Sequence, residues 1–261
     1  MTIAPGKTSL WIRRFSPAPE AASRVVCLPH AGGSAPYYFP MSKALAPEFE
    51  VLAVQYPGRQ DRRAEPCIDS ITELADHVAR ELREWIDRPM TLFGHSMGAT
   101  LAFEVARRLE GEAPLLGVIA SGRCAPSRGR GERVHLLDDR LIVEELRALS
   151  GTDARLLGDE EVIRMIMPAI RSDYRAAETY RCAPGVTIPY PVLAMVGDSD
   201  DRTSVEEAAA WAEHTTSSFE LRVFPGGHFY LNDHAAAVVD TVAEQIRRWS
   251  ADRSDGRRRP S

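Results

Sequence analysis

The feature that most narrows the fold is a pentapeptide, Gly94-His95-Ser96-Met97-Gly98. It stands between an apolar run at residues 90–93 and a helical pattern carried by Ala99, Ala102, Phe103, Ala106 and Leu109. Gly-x-Ser-x-Gly alone is common. Between a strand and a helix it describes a sharp turn that strains the serine backbone and lifts its hydroxyl above the end of a sheet. The flanking glycines let strand and helix approach closely. The alternative, a glycine-rich turn with an idle serine, fits the strand–turn–helix context less well. A strand feeding directly into a helix is one step of a βα repeat, and the rest of the chain continues it.

Short β-rich runs recur at 9–12, 24–28, 51–55, 90–93, 115–120, 192–196 and 219–224, and the middle ones are almost wholly apolar. Such runs are expected of parallel strands covered on both faces. Between them, Ser70-Ile71-Thr72-Glu73 reads as a capping box opening a helix whose apolar face is Ile71, Leu74, Ala75, Val78, Leu82, Trp85 and Ile86. Pro89 closes it. Ser204 with Glu207 caps a further helix reaching Trp211, and a last one runs from about 232 to 249. The alternation predicts an α/β fold, with residues 1–250 forming a single domain around a mostly parallel central sheet flanked by helices.

The interval 135–183 breaks the rhythm, with helical patterns and no credible strand. Asp159-Glu160-Glu161 suits a helix start, Val162, Ile163, Ile166 and Ile170 form an apolar stripe, and Pro168 is expected to kink or divide that helix. The segment reads as a helical insertion over the sheet's carboxyl edge, either a moving lid or a rigid cap. Residues 251–261 end in Ser254-Asp255-Gly256-Arg257-Arg258-Arg259-Pro260-Ser261, which lacks apolar side chains, and are expected to form a disordered tail.

Composition removes several classes. The four cysteines, Cys27, Cys67, Cys124 and Cys182, form no Cys-x-x-Cys pair, which argues against a zinc site or redox dithiol. A formal net charge of -5 is unlike a nucleic-acid binder. No apolar run reaches the ~18 residues of a membrane span, and residues 1–15 lack a secretory apolar stretch, so a cytoplasmic location is expected.

A serine hydroxyl needs a base to act as a nucleophile. Of the seven histidines, His228 in Pro225-Gly226-Gly227-His228-Phe229 follows the last strand on a glycine-rich loop and is the best candidate. His77 and His135 are expected on surfaces, His214 and His234 at helix ends, and His95 as a packing residue inside the elbow. An acid must orient the imidazole. Gly197-Asp198-Ser199-Asp200-Asp201 follows the 192–196 run, and Asp200 fits a Gly-x-x-Asp pattern, with Asp198 and Asp201 as loop or capping residues. The chain order Ser96, Asp200, His228 is that of α/β-hydrolases. An oxyanion hole takes two backbone N–H groups. Met97 is one candidate donor; Ala31, with Gly32 as alternative, is the other, from Leu28-Pro29-His30-Ala31-Gly32-Gly33-Ser34, although the glycines would serve a plain turn equally. Tyr37, Phe39, Met165 and Phe229 are candidate substrate-lining residues that core packing explains equally well.

Four blocks, in order, resemble the signature segments of type II thioesterases, the stand-alone editing enzymes of polyketide and nonribosomal peptide synthases. They are Pro29-His30-Ala31-Gly32-Gly33-Ser34, Tyr56-Pro57-Gly58-Arg59-Gln60-Asp61-Arg62, Gly94-His95-Ser96-Met97-Gly98-Ala99 and Pro225-Gly226-Gly227-His228-Phe229. The segment Pro168-Ala169-Ile170-Arg171-Ser172-Asp173-Tyr174, continuing through Glu178-Thr179-Tyr180, is similar to the family's helical insertion. The resemblance implies an α/β-hydrolase fold and hydrolysis of stalled acyl groups from the phosphopantetheine arm of an acyl or peptidyl carrier protein, with no metal or cofactor. One departure is Asp201, where many relatives carry proline after the catalytic aspartate. Arg59, Arg62 and Arg63 look like the family's Pro-Gly-Arg block, a structural element around the mouth, with contact to an acidic carrier protein as the secondary reading of its arginines. Three other readings compete. A carrier-protein acyltransferase would use Arg123 for its substrate carboxylate, but the Pro-Gly-Gly-His block and the long insertion speak against it. A general carboxylesterase shares the fold, and a binding protein without turnover would not need all three triad types.

Overall fold

In the computed structural model, residues 9–129, 131–149 and 158–256 are described, and strands form at each of the seven runs. They are β1 (Ile12–Arg13), β2 (Ser23–Leu28), β3 (Phe49–Val54), β4 (Met90–His95), β5 (Leu115–Ser121), β6 (Val192–Gly197) and β7 (Phe219–Phe224). One sheet holds them in the order β1-β3-β2-β4-β5-β6-β7, with β1 antiparallel to β3 and the other pairs parallel. The first strand is shorter and later than the 9–12 run, because the Trp11 amide turns back onto the Ser9 hydroxyl at 2.9 Å. Strands β2 to β6 are buried at every position, as their mostly apolar character implies, with the buried Arg24 and Glu50 paired to each other, whereas edge strand β7 is half-exposed.

The helices among the described residues are α1 (Phe39–Leu45), α2 (Ile71–Leu82), α3 (Met97–Arg108), α4 (Asp139–Leu149), α5 (Glu160–Thr179), α6 (Val205–Ala209), α7 (Tyr230–Asp233) and α8 (Ala235–Gly256). Leu74, Leu82, Leu101, Phe103 and Trp211 pack one sheet face, and Tyr38, Leu45, Val242, Ile246 and Trp249 the other. Both expected helix starts are capped. Ser70 Oγ accepts from the Glu73 amide at 3.3 Å, and Ser204 and Glu207 bond each other's amides reciprocally. The α-helical reach is shorter than expected at both, with 3-10 turns covering Arg83–Trp85 and Ala210–His214.

The insertion is helical and strand-free where described, with its own apolar cluster of Val134, Ile142, Val143, Leu146, Met167 and Ile170. Pro168 does not divide α5, which runs 20 residues from its Asp159 cap. Burial of Met167, Ala169 and Ile170 around the proline outweighs the one backbone hydrogen bond it removes. At the other end, α8 continues to Gly256, into the stretch expected as tail, with Trp249 buried and Arg253 donating to the Leu115 carbonyl at 3.3 Å. Residues 257–261 lie outside the described residues. No helix among the described residues is long and apolar enough to cross a membrane.

The site's position follows from topology. β3 and β4 lie on opposite sides of β2, so the carboxyl ends of β2 and β4 flank the switch point where open α/β sheets take their ligands.

Candidate active site

Ser96 occupies that switch point as the N-cap of α3, with φ 54° and ψ −120°. A positive φ is uncommon for a side chain larger than glycine and persists only where the surroundings impose it. Here they do. A Cβ on Gly94 would stand 2.0 Å from the Gly98 carbonyl oxygen, and one on Gly98 would stand 2.0 Å from the Leu28 carbonyl oxygen. Glycine at both positions is a steric requirement of the turn that presents Ser96.

His228 arrives from the loop after β7. Its Nδ1 lies 2.9 Å from Asp200 Oδ2 and 3.1 Å from Oδ1. The Asp200 side chain is fully buried and also accepts from the Arg202 amide at 2.8 Å, so the carboxylate is held from two directions. The neighbouring acids do other work. Asp198 accepts from the Gly226 amide at 3.0 Å and from Ser199 at 2.8 Å, bracing the two loops, and Asp201 is exposed beside Arg202. Of the three carboxylates, Asp200 is the one against His228.

Ser96, His228, Ala31 and Met97 line one cavity. Met97 is the first residue of α3, where amides have no intrahelical acceptor and the helix dipole favours negative charge. Of the two candidates on the loop after β2, Gly32 is engaged elsewhere, donating to Asp173 Oδ2 at 2.8 Å. That leaves Ala31 as the candidate donor from this loop.

Two further histidines crowd the base. The His95 ring centroid lies 5.0 Å from that of His228 and 6.0 Å from that of His30. His95 is fully buried and packs as expected, but its Nδ1 is also 2.9 Å from Ser121 Oγ, itself 2.6 Å from Tyr230 Oη. Burial, then the charge of His228, pushes the His95 pKa well below its ordinary value and that of His30 down to about 3. Both rings are therefore neutral at physiological pH. His135 is not a surface residue: it is mostly buried against Glu178, which also accepts the Val134 and His135 amides at 2.8 and 3.1 Å.

The substrate-lining candidates divide. Phe229 lines the cavity. Tyr37 instead donates to Asn232 at 2.6 Å and stands edge-on to His30. Phe39 lies half-exposed beside Phe15, and Met165 is exposed on α5, so neither belongs to the wall. The walls that sequence reasoning missed are Leu146 and Leu149 from α4 and Tyr174 and Tyr180 from α5 and its end. Arg123 lines the cavity as well, but its guanidinium bonds Thr100 Oγ1 at 3.2 Å and the Ala177 carbonyl at 3.0 Å, serving the protein's own packing. The arginines of the mouth block divide as well. Arg59 is buried in an ion pair with Asp173, and Arg62 is buried against Glu65 and over the Trp11 ring, so only Arg63 of the three remains exposed. Buried guanidinium groups need fixed partners, which removes these two from any contact with a carrier protein. Among the described residues, no three His, Cys, Asp or Glu side chains are grouped to hold a metal.

A mostly parallel seven-stranded sheet with a serine at a strained strand–helix turn defines an α/β-hydrolase. Within that class the chain belongs to the thioesterase domain family, whose model matches residues 23–249. It is 51% identical to thioesterase PikA5 of Streptomyces venezuelae over 92% of this chain and 86% of that one. Among solved structures, the type II thioesterase BorB from the borrelidin biosynthetic cluster superposes with a TM-score of 0.86 at 51% identity, covering 93% of this chain and 100% of that one. YbtT, a type II thioesterase from the yersiniabactin NRPS/PKS pathway, matches with a TM-score of 0.80 at 30% identity, covering 92% and 99%. The chain is a type II thioesterase.

Proposed function

We propose that this thioesterase frees acyl groups from the phosphopantetheine arm of an acyl or peptidyl carrier protein in polyketide or nonribosomal peptide assembly, by a Ser96–His228–Asp200 mechanism. The observation that carries the chemistry is the His228–Asp200 contact, made on a buried carboxylate beside the cavity that Ser96 enters. Asp200 fixes the tautomer with Nδ1–H toward the carboxylate, leaving Nε2 to take a proton. His228 takes the Ser96 hydroxyl proton as Oγ attacks the thioester carbonyl. The amides of Met97 and Ala31 hold the oxyanion, and the pantetheine thiolate leaves with the proton from His228. Water, deprotonated by the same ring, then attacks the acyl-serine; the free acid leaves and Ser96 recovers its proton. Hydrolysis, as opposed to transfer of the acyl group, is supported by an Arg123 already occupied by Thr100 and Ala177. The carrier-bound substrate is supported by the relatives, which include a type II thioesterase of an NRPS/PKS pathway.

A fluorophosphonate probe tests the nucleophile. Wild type is expected to be labelled once, at Ser96, and Ser96→Ala not at all, with acyl-thioester turnover reduced by about 10⁵-fold or more. Equal labelling of the two proteins would overturn the assignment.

A further inference from the structure

Asp173 sits inside α5, at the wall of the sheet core, with its side chain fully buried. Its carboxylate gathers three parts of the chain. Oδ2 accepts from the Gly32 amide at 2.8 Å and from Arg59 Nη1, while Oδ1 accepts from Arg59 Nη2 at 2.9 Å. Arg59 in turn reaches the Gly33 carbonyl at 3.3 Å. The insertion, the loop after β3 and the loop after β2 thus converge on one ion pair. Gly32 receives a second contact from the same helix. At φ +74° its backbone lies close against α5, where Ile170 Cγ1 stands 3.0 Å from where a Cβ would be. Gly32 immediately follows Ala31, and the Gly33 amide closes the turn around both by donating to the His30 carbonyl at 2.9 Å, so the Asp173 anchor on the Gly32 amide and this bond together hold the two peptide planes that meet at the Ala31 Cα, one of which carries the Ala31 N–H.

We propose that Asp173 and Arg59 are positioning residues for the oxyanion hole, holding the Ala31 loop in its transition-state geometry through α5. This rests on the reading of Ala31 as an oxyanion donor and Ser96 as the nucleophile. It also assigns α5 a definite mechanical role. The half of the helix that carries Ile170 and Asp173 is part of the catalytic framework, and any lid motion belongs to other parts of the insertion. A charge-assisted hydrogen bond between a buried carboxylate and a backbone amide is short and directional, as positioning within the hole demands.

Removing Asp173 alone would leave Arg59 buried and unpaired and damage the fold, so the decisive protein is the double variant Arg59→Met with Asp173→Leu, which removes both charges. Measured with an acyl-pantetheine thioester, its kcat is expected to fall about 10- to 100-fold with KM within about twofold. Affinity for a trifluoromethyl ketone analogue, whose hemiketal oxygen occupies the hole, is expected to fall by the same factor while near-UV circular dichroism stays native. Arg59→Lys keeps a cation beside Asp173 and leaves the carboxylate to accept from the Gly32 amide but gives up the bidentate fork, and should lose clearly less kcat than the double variant. Asp173→Asn offers Gly32 a neutral acceptor and should lose about 3- to 10-fold in kcat per folded molecule, with ketone affinity falling in parallel. That variant carries the test if the double variant does not fold. The proposal is overturned by wild-type kcat in the folded double variant, or in Asp173→Asn if the double variant does not fold. It is also overturned by a rise in KM at constant kcat, or by Arg59→Lys losing as much as the double variant. Full activity in Ser96→Ala would instead sink the catalytic reading beneath it, so the two failures are distinguishable.

Discussion

Strands β2 to β6 are buried along every residue, whereas the insertion has its own cluster of only six buried apolar residues, reaches the main core through Ala176 and Ala177 of α5, and adds a set of charged contacts. Asp173 pairs with Arg59, Glu145 with Arg202, Glu178 with His135, and Asp139 with Arg171 at 2.6 Å. The sheet holds its catalytic turn by close packing, which tolerates no added volume. The insertion is held by a small core and by pairs whose strength depends on geometry and, where exposed, on salt. Under the proposed mechanism catalysis draws on both: the elbow belongs to the sheet, while the oxyanion loop and the cavity wall lean on the insertion.

The sharpest break falls on the sheet side. Gly98→Ala places a methyl 2.0 Å from the Leu28 carbonyl, a backbone atom that cannot swing away. Thermal unfolding should show a loss of about 4 kcal/mol or more, or no folded protein at all. A wild-type Tm would refute the close approach. Acidification acts next, through the neutral histidines around the base. The folded-state pKa of His30 is about 3, below the ordinary value of 6.5. The unfolded chain therefore binds a proton that the folded chain refuses, and stability is complete above about pH 6.5 and declines as pH falls from there toward 3. Between pH 7 and 5.5 His30 alone should cost roughly 1 kcal/mol, and His95, depressed in the same direction by burial and then by the charge of His228, adds to the loss. Urea unfolding of wild type and His30→Phe at the two pH values isolates the histidine's contribution; identical pH slopes would contradict it.

The two smaller perturbations address the insertion. Ile142 is fully buried at the centre of its cluster. Ile142→Ala should cost about 2 kcal/mol and raise hydrogen exchange in α4 and α5 while β4 and β5 stay protected. Equal loosening of sheet and insertion would show that they unfold as one unit. Arg202→Met, which cuts a partly exposed bridge to Glu132 and Glu145, should cost no more than about 1 kcal/mol, seen as faster proteolysis of the insertion with a near-unchanged Tm.

The same division governs what the sequence made legible. The strands, the elbow and both capped helices are local: apolar runs, glycine spacing and Ser70 or Ser204 three residues before a glutamate specify them without reference to distant residues. His228 and Asp200 were accessible for a similar reason, since each follows a strand on a short glycine-bearing loop. The partnership of Arg59 with Asp173 was not, because it joins residues 114 positions apart and only the folded chain brings the insertion onto the mouth block. The sequence therefore shows Arg59 as part of a structural block at the mouth without naming its partner. Phe39 and Met165 were chosen for being apolar near the right motifs, but facing is decided by packing, and Phe39 turned to Phe15. Pro168 was read by its local cost alone, and α5 carries it because the surrounding residues are buried.

Intact-protein mass spectrometry of acyl carrier proteins tests the central claim most directly. Carriers loaded with short and extended acyl-phosphopantetheine groups would be followed with wild type, Ser96→Ala and no enzyme. The account predicts that wild type returns the carrier to its free-thiol mass and releases the free acid, while Ser96→Ala leaves the carrier loaded at the rate without enzyme. Carriers that stay loaded across the whole panel, under conditions where simple oxygen esters are cleaved, would contradict it.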